Sequence, residues 1–405
     1  MPRFEPFRAL RYSDSALAHS EPAVGHPDGS LDELIAPPYD VLSDADVDAL
    51  EARSPHNIVR VDVPRGGDDR YQRAGELYAE WQRDGVLVRD ARPTFTIYRM
   101  TFTDDLGGSR EIVGVLGGLE VVDEGAGGVL PHEHTTPKAS TDRLDLTRAT
   151  RANLSPVWGL SLAHGLTAAL AEPGLVVGRV LDDGVEHTVE RVDDPARVAT
   201  IRDLLARDDV LIADGHHRYG VSRIYRDEVR AATGSTETAA EQTLAFVNEL
   251  VPAQLSVAAI HRLYTDISLS ELQSALRPYF DLQPTDVPTQ ATLAAMEAEG
   301  FLVLTTGAET WRLVPRVEAL SNVRALDGLW LETALQSAAA TVRYQHGLAE
   351  VLAELAAGRA TAAVLIRPVS VAEIERTARE GLLMPPKSTF FTPKLKTGFV
   401  IRPLD

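Results

Sequence analysis

The segment Val210-Leu-Ile-Ala-Asp-Gly-His-His-Arg-Tyr219 joins four apolar residues to a run of polar ones. The apolar run predicts a buried strand, and Gly215 predicts a turn directly after it. Apolar residues recur at about helical spacing beyond Arg218, so we expect a helix to begin at the turn, with Asp214 near its cap. The N–H groups and the dipole at a helix N-terminus favour an anion such as phosphate. The segment therefore predicts a strand–turn–helix unit that binds an anion.

The composition of the chain is that of an ordinary globular protein. Its 405 residues are 44% hydrophobic and 24% charged, which predicts two or three domains with ample core. The formal net charge of -19 opposes non-specific binding to nucleic acid, because phosphates require a basic surface. The absence of cysteine excludes disulfides, Cys-ligated zinc and a thiol nucleophile. No apolar run has the pattern of a signal peptide or the length of a membrane span, so we expect a cytoplasmic protein.

A second polar cluster follows the glycine-rich segment 125–128. His132, Glu133 and His134 stand between prolines that disfavour a helix, and Arg143 follows just before a predicted helix. Histidine is the side chain best suited to proton transfer near neutral pH. This cluster is either a site of acid–base chemistry or ligand binding, or a polar loop in solvent.

Two segments near the N-terminus have interpretable patterns. Tyr39 and Asp40 follow a rigid Pro-Pro pair, and they serve either the turn itself or contact with a ligand. Asn57-Ile-Val-Arg-Val-Asp-Val63 alternates apolar and polar residues, which predicts a strand with one face in solvent.

Further candidate residues lie at predicted strand ends and in the C-terminal tail. Asn248 lies near the end of one buried strand, and His261-Arg262 lies near the end of another. An imidazole at a strand end is either hydrogen-bonded core or a ligand contact. The tail from Leu382 to Leu404 has four basic residues and no acidic one, so it is either an anion-binding segment that folds back over the site or a surface strand in solvent. Its candidate ligand-binding residues are Lys387, Ser388 and Thr389.

These clusters are compatible with two kinds of chemistry. The chain has no Walker A loop, no Gly-x-Ser-x-Gly elbow and no His-Glu-x-x-His motif. Phosphoryl transfer would use the Asp214–Arg218 turn to hold phosphates and a carboxylate to orient or deprotonate the acceptor. Metal-assisted hydrolysis would instead use carboxylate and imidazole ligands to activate water. Its ligands would come from His132, His134, Asp214, His216 and His217.

Four motifs together resemble a prokaryotic family known mainly as a domain of unknown function. They are Ala-Pro-Pro-Tyr-Asp40, Pro-His-Glu133, Ala-Asp-Gly-His-His-Arg-Tyr219 and Met-Pro-Pro-Lys-Ser-Thr389. The central part is similar to the ParB/sulfiredoxin-like superfamily, in which a strand–turn–helix binds nucleotide phosphates. This resemblance implies an α/β (α+β) fold with a ParB/sulfiredoxin-like core. We expect an N-terminal α/β part at 1–124, the core at 125–265, and a C-terminal α/β part with the basic tail at 266–405.

Within that superfamily the motifs are most similar to those of the free serine kinases, which phosphorylate L-serine with ADP or ATP and Mg²⁺. The resemblance implies that Glu133 is the general base, with His132 as a further catalytic residue, and that Asp214 is a second essential carboxylate and the Mg²⁺ ligand. The segment between Glu133 and Asp214 is much longer here than in those kinases. The residues implied to bind nucleotide phosphates are Gly215, His216, His217 and Arg218. The residues expected to contact the substrate are Tyr39, Asp40, Arg143, Asn248, His261 and Arg262.

The sequence therefore predicts a nucleotide-dependent phosphotransferase for a small hydroxyl metabolite, with L-serine as the favoured acceptor. Its expected ligands are ATP or ADP and Mg²⁺, and we expect neither nucleic acid nor membrane as a partner. A metal-dependent phosphohydrolase is the first alternative. A non-catalytic nucleotide-binding regulator or a ParB-like DNA-binding protein is the second.

Overall fold

The computed structural model describes residues 1–14, 16, 31–103, 108–131, 140–385 and 387–405. These residues form a mixed α/β structure, as the sequence predicts. The helices in chain order are α1 (Asp44–Arg53), α2 (Val59–Asp62), α3 (Arg70–Arg83), α4 (Ser140–Thr150), α5 (Leu166–Ala169), α6 (Pro195–Leu205), α7 (His216–Thr233), α8 (Leu269–Leu276), α9 (Gln290–Glu299), α10 (Asp327–Leu335), α11 (Leu348–Ala356) and α12 (Val371–Arg379).

The strands belong to several sheets, of which two are large. In chain order they are β1 (Phe4–Glu5), β2 (Leu10–Tyr12), β3 (Leu87–Arg89), β4 (Phe95–Thr103), β5 (Ser109–Glu120), β6 (Val129–Pro131), β7 (Ala152–Asn153), β8 (Val157–Ser161), β9 (Leu175–Asp182), β10 (Val185–Val192), β11 (Val210–Asp214), β12 (Gln242–Glu249), β13 (Val257–Ala258), β14 (Ile260–Thr265), β15 (Phe280–Thr285), β16 (Leu302–Thr305), β17 (Thr310–Pro315), β18 (Thr341–His346), β19 (Ala362–Leu365), β20 (Phe390–Phe391) and β21 (Arg402–Pro403).

The chain divides into two compact units. Unit 1 comprises Met1–Leu255 and Pro393–Asp405, and unit 2 comprises Ser256–Thr392. The large sheet of unit 1 contains β4 and β5 as well as β8, β11 and β12. The sheet therefore contains strands from both sides of position 124/125, where the sequence suggests a boundary between an N-terminal part and the core.

Unit 1 is built on a nine-stranded mixed sheet, counted over the described residues. The strand order is β6-β11-β8-β12-β5-β4-β10-β9, with β1 paired to β5. The pairs β11–β6 and β12–β8 are parallel, and the other pairs are antiparallel. Val115, Val157 and Val247 from three neighbouring strands lie in one buried apolar cluster. Val210 and Ile212 of β11 lie in the same cluster. The packing therefore fixes the position of β11 and of the turn that follows it.

The segment 57–63 contains the short helix α2 (Val59–Asp62) and no strand, so the predicted strand is wrong there. Ile58, Val59 and Val61 are completely buried, and Asp62 is 2% exposed. The alternation predicted one face in solvent, but neither face of this segment is in solvent. The side chain of Asn57 accepts a hydrogen bond from the Val59 N–H at 2.9 Å, which stabilises the first turn of α2.

Unit 2 is a second sheet covered by helices. Its six strands, in the order β15-β17-β16-β19-β14-β18, are all antiparallel. Residues of α8 and α10 pack in one buried cluster of this unit, and residues of α9 and α11 pack in another. Unit 2 therefore has its own hydrophobic core on each side of its sheet.

No helix in the described part of the chain is long and apolar enough to cross a membrane.

Candidate functional site

The strand–turn–helix at residues 210–219 forms as the sequence predicts. β11 ends at Asp214, Gly215 has a φ of 85°, and α7 begins at His216. A left-handed conformation of this kind favours glycine, because glycine has no Cβ atom. A Cβ atom at this position would lie 3.0 Å from the guanidinium carbon of Arg218. Gly215 thus permits both the turn and the close approach of Arg218.

Arg218 lies in the first turn of α7 and points back towards β11. Its Nη1 donates a hydrogen bond to the carbonyl oxygen of Pro156, and its Nη2 lies 3.4 Å from Asp214 Oδ2. Its Nε atom is buried and has no hydrogen-bond partner among the described residues. One edge of the guanidinium is therefore held by the protein, while Nε remains available for a ligand.

Asp214 is paired with two cations. Lys394 Nζ, from the C-terminal segment of unit 1, lies 3.3 Å from the Asp214 Oδ2 atom that also faces Arg218. Desolvation raises the pKa of Asp214, but the charges of Lys394 and Arg218 outweigh it and lower the pKa to about 2. Asp214 is therefore ionised at neutral pH, and its carboxylate faces two cations at the turn.

A second group of charged side chains lies close to Arg218. The Arg143 guanidinium carbon stacks 4.2 Å from the centre of the Tyr39 ring. Its Nη1 donates to the carbonyl oxygen of Asp62 at 2.7 Å and lies 3.2 Å from Asp62 Oδ1. The charges of Arg218 and Asp40 also act on the pKa values of Tyr39 and Asp62. Tyr39, Asp40 and Arg143 are thus brought together with the Asp214–Arg218 turn.

Asp62 has the properties of a buried, partly paired carboxylate. Its side chain is 3% exposed, and desolvation raises its pKa although Arg143 and Arg218 oppose that effect. Its Oδ2 atom has no hydrogen-bond partner among the described residues. Such an atom is expected to bind a donor, because buried polar groups without partners are costly.

A cleft with a cavity volume of about 40 Å³ lies beside Asp62, Arg143 and Arg218. Hydroxyl-bearing residues, apolar residues and Asn153 form the rest of its wall. The lining residues are Asp62, Arg143, Leu146, Thr147, Ala152, Asn153, Leu154, Ser155, Arg218, Val221, Ser222 and Thr243.

The other predicted site residues lie elsewhere or outside the described part. His132, Glu133 and His134 lie outside the described residues. His216 and His217 are half-buried in the first turn of α7. Asn248 is not part of the cluster, since it is fully buried, accepts from Trp158 Nε1 at 2.7 Å and donates to the carbonyl oxygen of Gln254 at 2.7 Å.

Five predicted residues belong to unit 2. His261 is 2% exposed, and burial lowers its pKa to about 4. Arg262 donates to the carbonyl oxygens of Ile260 and Lys387 and stacks on Tyr344. The hydroxyl group of Ser388 donates to the carbonyl oxygen of Pro385 at 2.7 Å. The five residues are His261, Arg262, Lys387, Ser388 and Thr389.

Sequence reasoning missed two residues of this site. Asp62 was assigned to the solvent-facing side of a strand, and no local signal identifies its contact with Arg143, which is 81 residues away. Lys394 is one of the four basic residues of the tail, but the residues predicted there to bind a ligand are Lys387, Ser388 and Thr389.

The described part of the site contains no ready-made group of three or more metal ligands, and none occurs elsewhere among the His, Asp and Glu residues that the structure describes. The Asp214 carboxylate, predicted as the Mg²⁺ ligand, is instead paired with Lys394 and Arg218.

Family comparison agrees with the motifs. The sequence profile of the family described as "Protein of unknown function (DUF1015)" matches residues 4–329. The chain belongs to the DUF1015 family. The match includes Tyr39–Asp40, the His132–Arg143 region and the Asp214–Arg218 turn, and it ends within α10 of unit 2. No curated protein matches this DUF1015 chain.

Several solved structures are similar to this DUF1015 chain at low sequence identity. A conserved hypothetical protein from Pyrococcus furiosus is 11% identical, with a TM-score of 0.36, over 67% of this chain and 92% of its own. A free serine kinase in complex with AMP is 12% identical, with a TM-score of 0.36, over 67% and 89%. SbnI from Staphylococcus aureus, truncated at its C-terminus, is 13% identical, with a TM-score of 0.38, over 70% and 85%.

Proposed function

We propose that this chain is a nucleotide-dependent phosphotransferase that passes a phosphate group to a small hydroxyl compound, with L-serine as the favoured acceptor. The observation that carries the proposal is the turn at Gly215, where the N-terminus of α7, Arg218 and Lys394 converge. The motif resemblance to free serine kinases supports the choice of reaction. ATP or ADP is the proposed donor.

The cations of the turn suit a nucleotide phosphate. Arg218 and Lys394 both pair with Asp214, and the buried Nε atom of Arg218 has no hydrogen-bond partner among the described residues. The N–H groups and the partial positive charge of the α7 N-terminus also favour an anion. The charges of Asp40 and Asp62 act on Arg218 as well, so the site holds charges of both signs.

Asp214 would position the two cations. Its ionised carboxylate pairs with Arg218 and Lys394 before a ligand arrives, so their side chains are already ordered. The predicted contact of Asp214 with Mg²⁺ stays a prediction, and no step of the proposal depends on it. Phosphoryl transfer is in any case dominated by positioning and charge stabilisation.

Glu133 and His132 complete the proposal as acid–base residues implied by the motif resemblance. Glu133 would accept the proton of the acceptor hydroxyl group as that oxygen attacks the terminal phosphorus. The bond from this phosphorus to its bridging oxygen would break, so that ATP leaves as ADP, or ADP as AMP. Tyr39, Asp40 and Arg143 would contact the acceptor.

Phosphate transfer can be measured directly by ³¹P NMR. The full chain is incubated with Mg²⁺, L-serine and either ATP or ADP, and we expect a phosphoserine signal that grows with time. Glu133→Gln should abolish that signal because the general base is lost. Glu124→Gln is the matched control, since Glu124 is exposed and pairs with Arg223 on the surface. Absence of a phosphoserine signal from wild type with both nucleotides would contradict serine as the acceptor. Nucleotide binding without transfer to any hydroxyl compound would favour a non-catalytic regulator.

A further inference from the structure

Two residues of the cleft, Asp62 and Arg218, each have a polar atom that makes no hydrogen bond within the described part of the protein. Asp62 Oδ2 is an acceptor and Arg218 Nε is a donor, and both atoms are buried without a hydrogen-bond partner among the described residues. Both residues line the same cleft. A buried acceptor and a buried donor in one cavity indicate a bound molecule that has both kinds of group.

Asp62 is held in place on its other side. Arg143 binds its carbonyl oxygen at 2.7 Å and lies 3.2 Å from its Oδ1 atom, so the orientation of the carboxylate is fixed. Arg143 is itself fixed by Asp142, which accepts from its Nε at 2.8 Å. Arg218 is likewise anchored by Pro156 and Asp214. Asp62 Oδ2 and Arg218 Nε, the two atoms without partners, therefore belong to side chains whose orientation is already fixed, as in a preorganised binding site.

We infer that this cleft binds a small hydroxy- or amino-carboxylate, with a hydroxyl or ammonium group on Asp62 and the carboxylate on Arg218. An ionised carboxylate accepts hydrogen bonds only, so Asp62 requires a donor from the ligand. A guanidinium N–H binds carboxylates especially well because both partners are charged. The identification of this molecule as the phosphate acceptor rests on the proposed function.

The wall of the cleft limits the size and polarity of the ligand. Leu146, Leu154 and Val221 contribute apolar surface. The hydroxyl group of Ser222 already lies 3.0 Å from the carbonyl oxygen of Arg218, and that of Thr147 donates to the carbonyl oxygen of Arg143 at 2.8 Å. The cavity volume of about 40 Å³ corresponds to about three water molecules, which favours a small metabolite. Charged recognition thus depends on Asp62 and the two arginines.

Calorimetric titration of the full chain tests the inference with three probes. L-serine and glycerate each carry a carboxylate and a donor, whereas ethanolamine carries the donors without the carboxylate. We expect saturable binding of L-serine or glycerate to wild type, and binding of ethanolamine that is about tenfold weaker or undetectable. Asp62→Asn should weaken binding of the carboxylate probes about tenfold or more, because the charged acceptor is lost.

Asp145→Asn is the matched control. Asp145 lies in the same helix as Arg143, but it pairs with Arg148 at 2.7 Å, its side chain is 37% exposed and it does not line the cleft. Its affinity for the probes should stay within about twofold of wild type. Ser155→Phe provides a second variant, since Ser155 is partly exposed, lines the cleft and lies outside the ion pairs. It should block the carboxylate probes even if Asp62→Asn fails to fold.

The inference is overturned if neither carboxylate probe binds wild type, if Asp62→Asn and Asp145→Asn weaken binding equally, or if ethanolamine binds as well as L-serine. ADP is titrated into the same samples to separate this result from the proposed function. ADP binding without binding of the carboxylate probes would contradict the cleft inference alone. Binding of the carboxylate probes without ADP binding would contradict the nucleotide-dependent function and leave the cleft inference supported.

Discussion

At the scale of single residues, Asp214 links the site to the stability of the protein. Its pKa is about 2 in the folded chain against an ordinary value of 3.8, despite the opposing effect of desolvation, because Lys394 and Arg218 favour the ionised form. A lowered folded pKa stabilises the protein above the unfolded pKa and loses that contribution as pH falls through the folded value. The contribution at neutral pH is about 2 kcal/mol.

Asp214→Asn should therefore lower the free energy of unfolding at pH 7 by about 2 kcal/mol. The difference between wild type and variant should shrink progressively between about pH 5 and pH 2, where wild-type Asp214 takes up a proton on unfolding. Urea unfolding of both proteins across this pH range measures the effect. A difference that does not change with pH would show that the ion pairs of Asp214 contribute nothing to stability.

Gly215→Ala tests how the turn holds Arg218. The substitution strains a φ of 85° and places a Cβ atom 3.0 Å from the Arg218 guanidinium. We expect a loss of about 1–2 kcal/mol in stability, because the left-handed conformation disfavours Ala. We also expect weaker ADP binding because Arg218 is displaced. Urea unfolding and calorimetry measure the two effects.

Gly234→Ala is the control for this prediction. Gly234 ends the same helix with a φ of 67°, and a Cβ atom there would meet no atom within 4 Å. It should lose similar stability from backbone strain but bind ADP like wild type. Equal ADP affinities in the two variants would contradict a role for the Gly215–Arg218 approach in binding.

At the scale of elements, α4 matters because it carries Arg143, and its position depends on α3. A Cβ atom at Gly75 of α3 would lie 2.5 Å from the carbonyl oxygen of Ala149 in α4. Gly75→Ala should therefore move α4 away from α3 and shift Arg143 relative to Asp62. The expected result is a lower urea midpoint together with weaker binding of small carboxylates.

Gly220→Ala provides the comparison for this change. Gly220 lies in α7, and a Cβ atom there would meet no atom within 4 Å. Helix propensity predicts an unchanged or higher stability, by up to about 1 kcal/mol. If both alanine variants have the same midpoint, the close packing of α3 on α4 does not fix the site.

The elements also show what sequence patterns can and cannot predict. β11, its turn and α7 were predicted because the apolar run, the glycine and the helical spacing are adjacent in the chain. The segment 57–63 was assigned to a strand because its alternation matches one, yet Asn57 donates from Nδ2 to the carbonyl oxygens of Glu33 and Ile35. These long-range hydrogen bonds stabilise a buried helical turn. For the same reason the sequence does not identify Asp62 as a site residue, because a carboxylate on the solvent-facing side of a strand needs no partner.

At the scale of the whole molecule, the chain enters and leaves unit 2 through neighbouring strands. β13 pairs with β20, so that Val257 is opposite Phe391, and the side-chain oxygens of Ser256 and Thr392 are 2.9 Å apart. The sequence predicts boundaries at 124/125 and 265/266. Its local patterns do not indicate that residues 393–405 return to the first unit, so they do not predict a unit inserted between Leu255 and Pro393.

This insertion predicts that unit 2 is an independent folding unit. Residues 256–392, expressed alone, should give a cooperative unfolding transition, because they contain a complete sheet with a core on both sides. Circular dichroism during thermal unfolding measures the transition. A gradual change without a midpoint would contradict the division into two units.

The central claim is that the turn at Gly215 binds nucleotide phosphates through Arg218 and Lys394. Calorimetric titration of the full chain with ADP, with and without Mg²⁺, tests it most directly. We predict saturable binding to wild type, a loss of about tenfold or more in Arg218→Met and in Lys394→Met, and no change in Arg148→Met. Arg148 is a suitable control because it pairs with Asp145 and Glu228 on the surface of α4. Absence of saturable ADP binding to wild type, or equal affinities in all three variants, would contradict the claim.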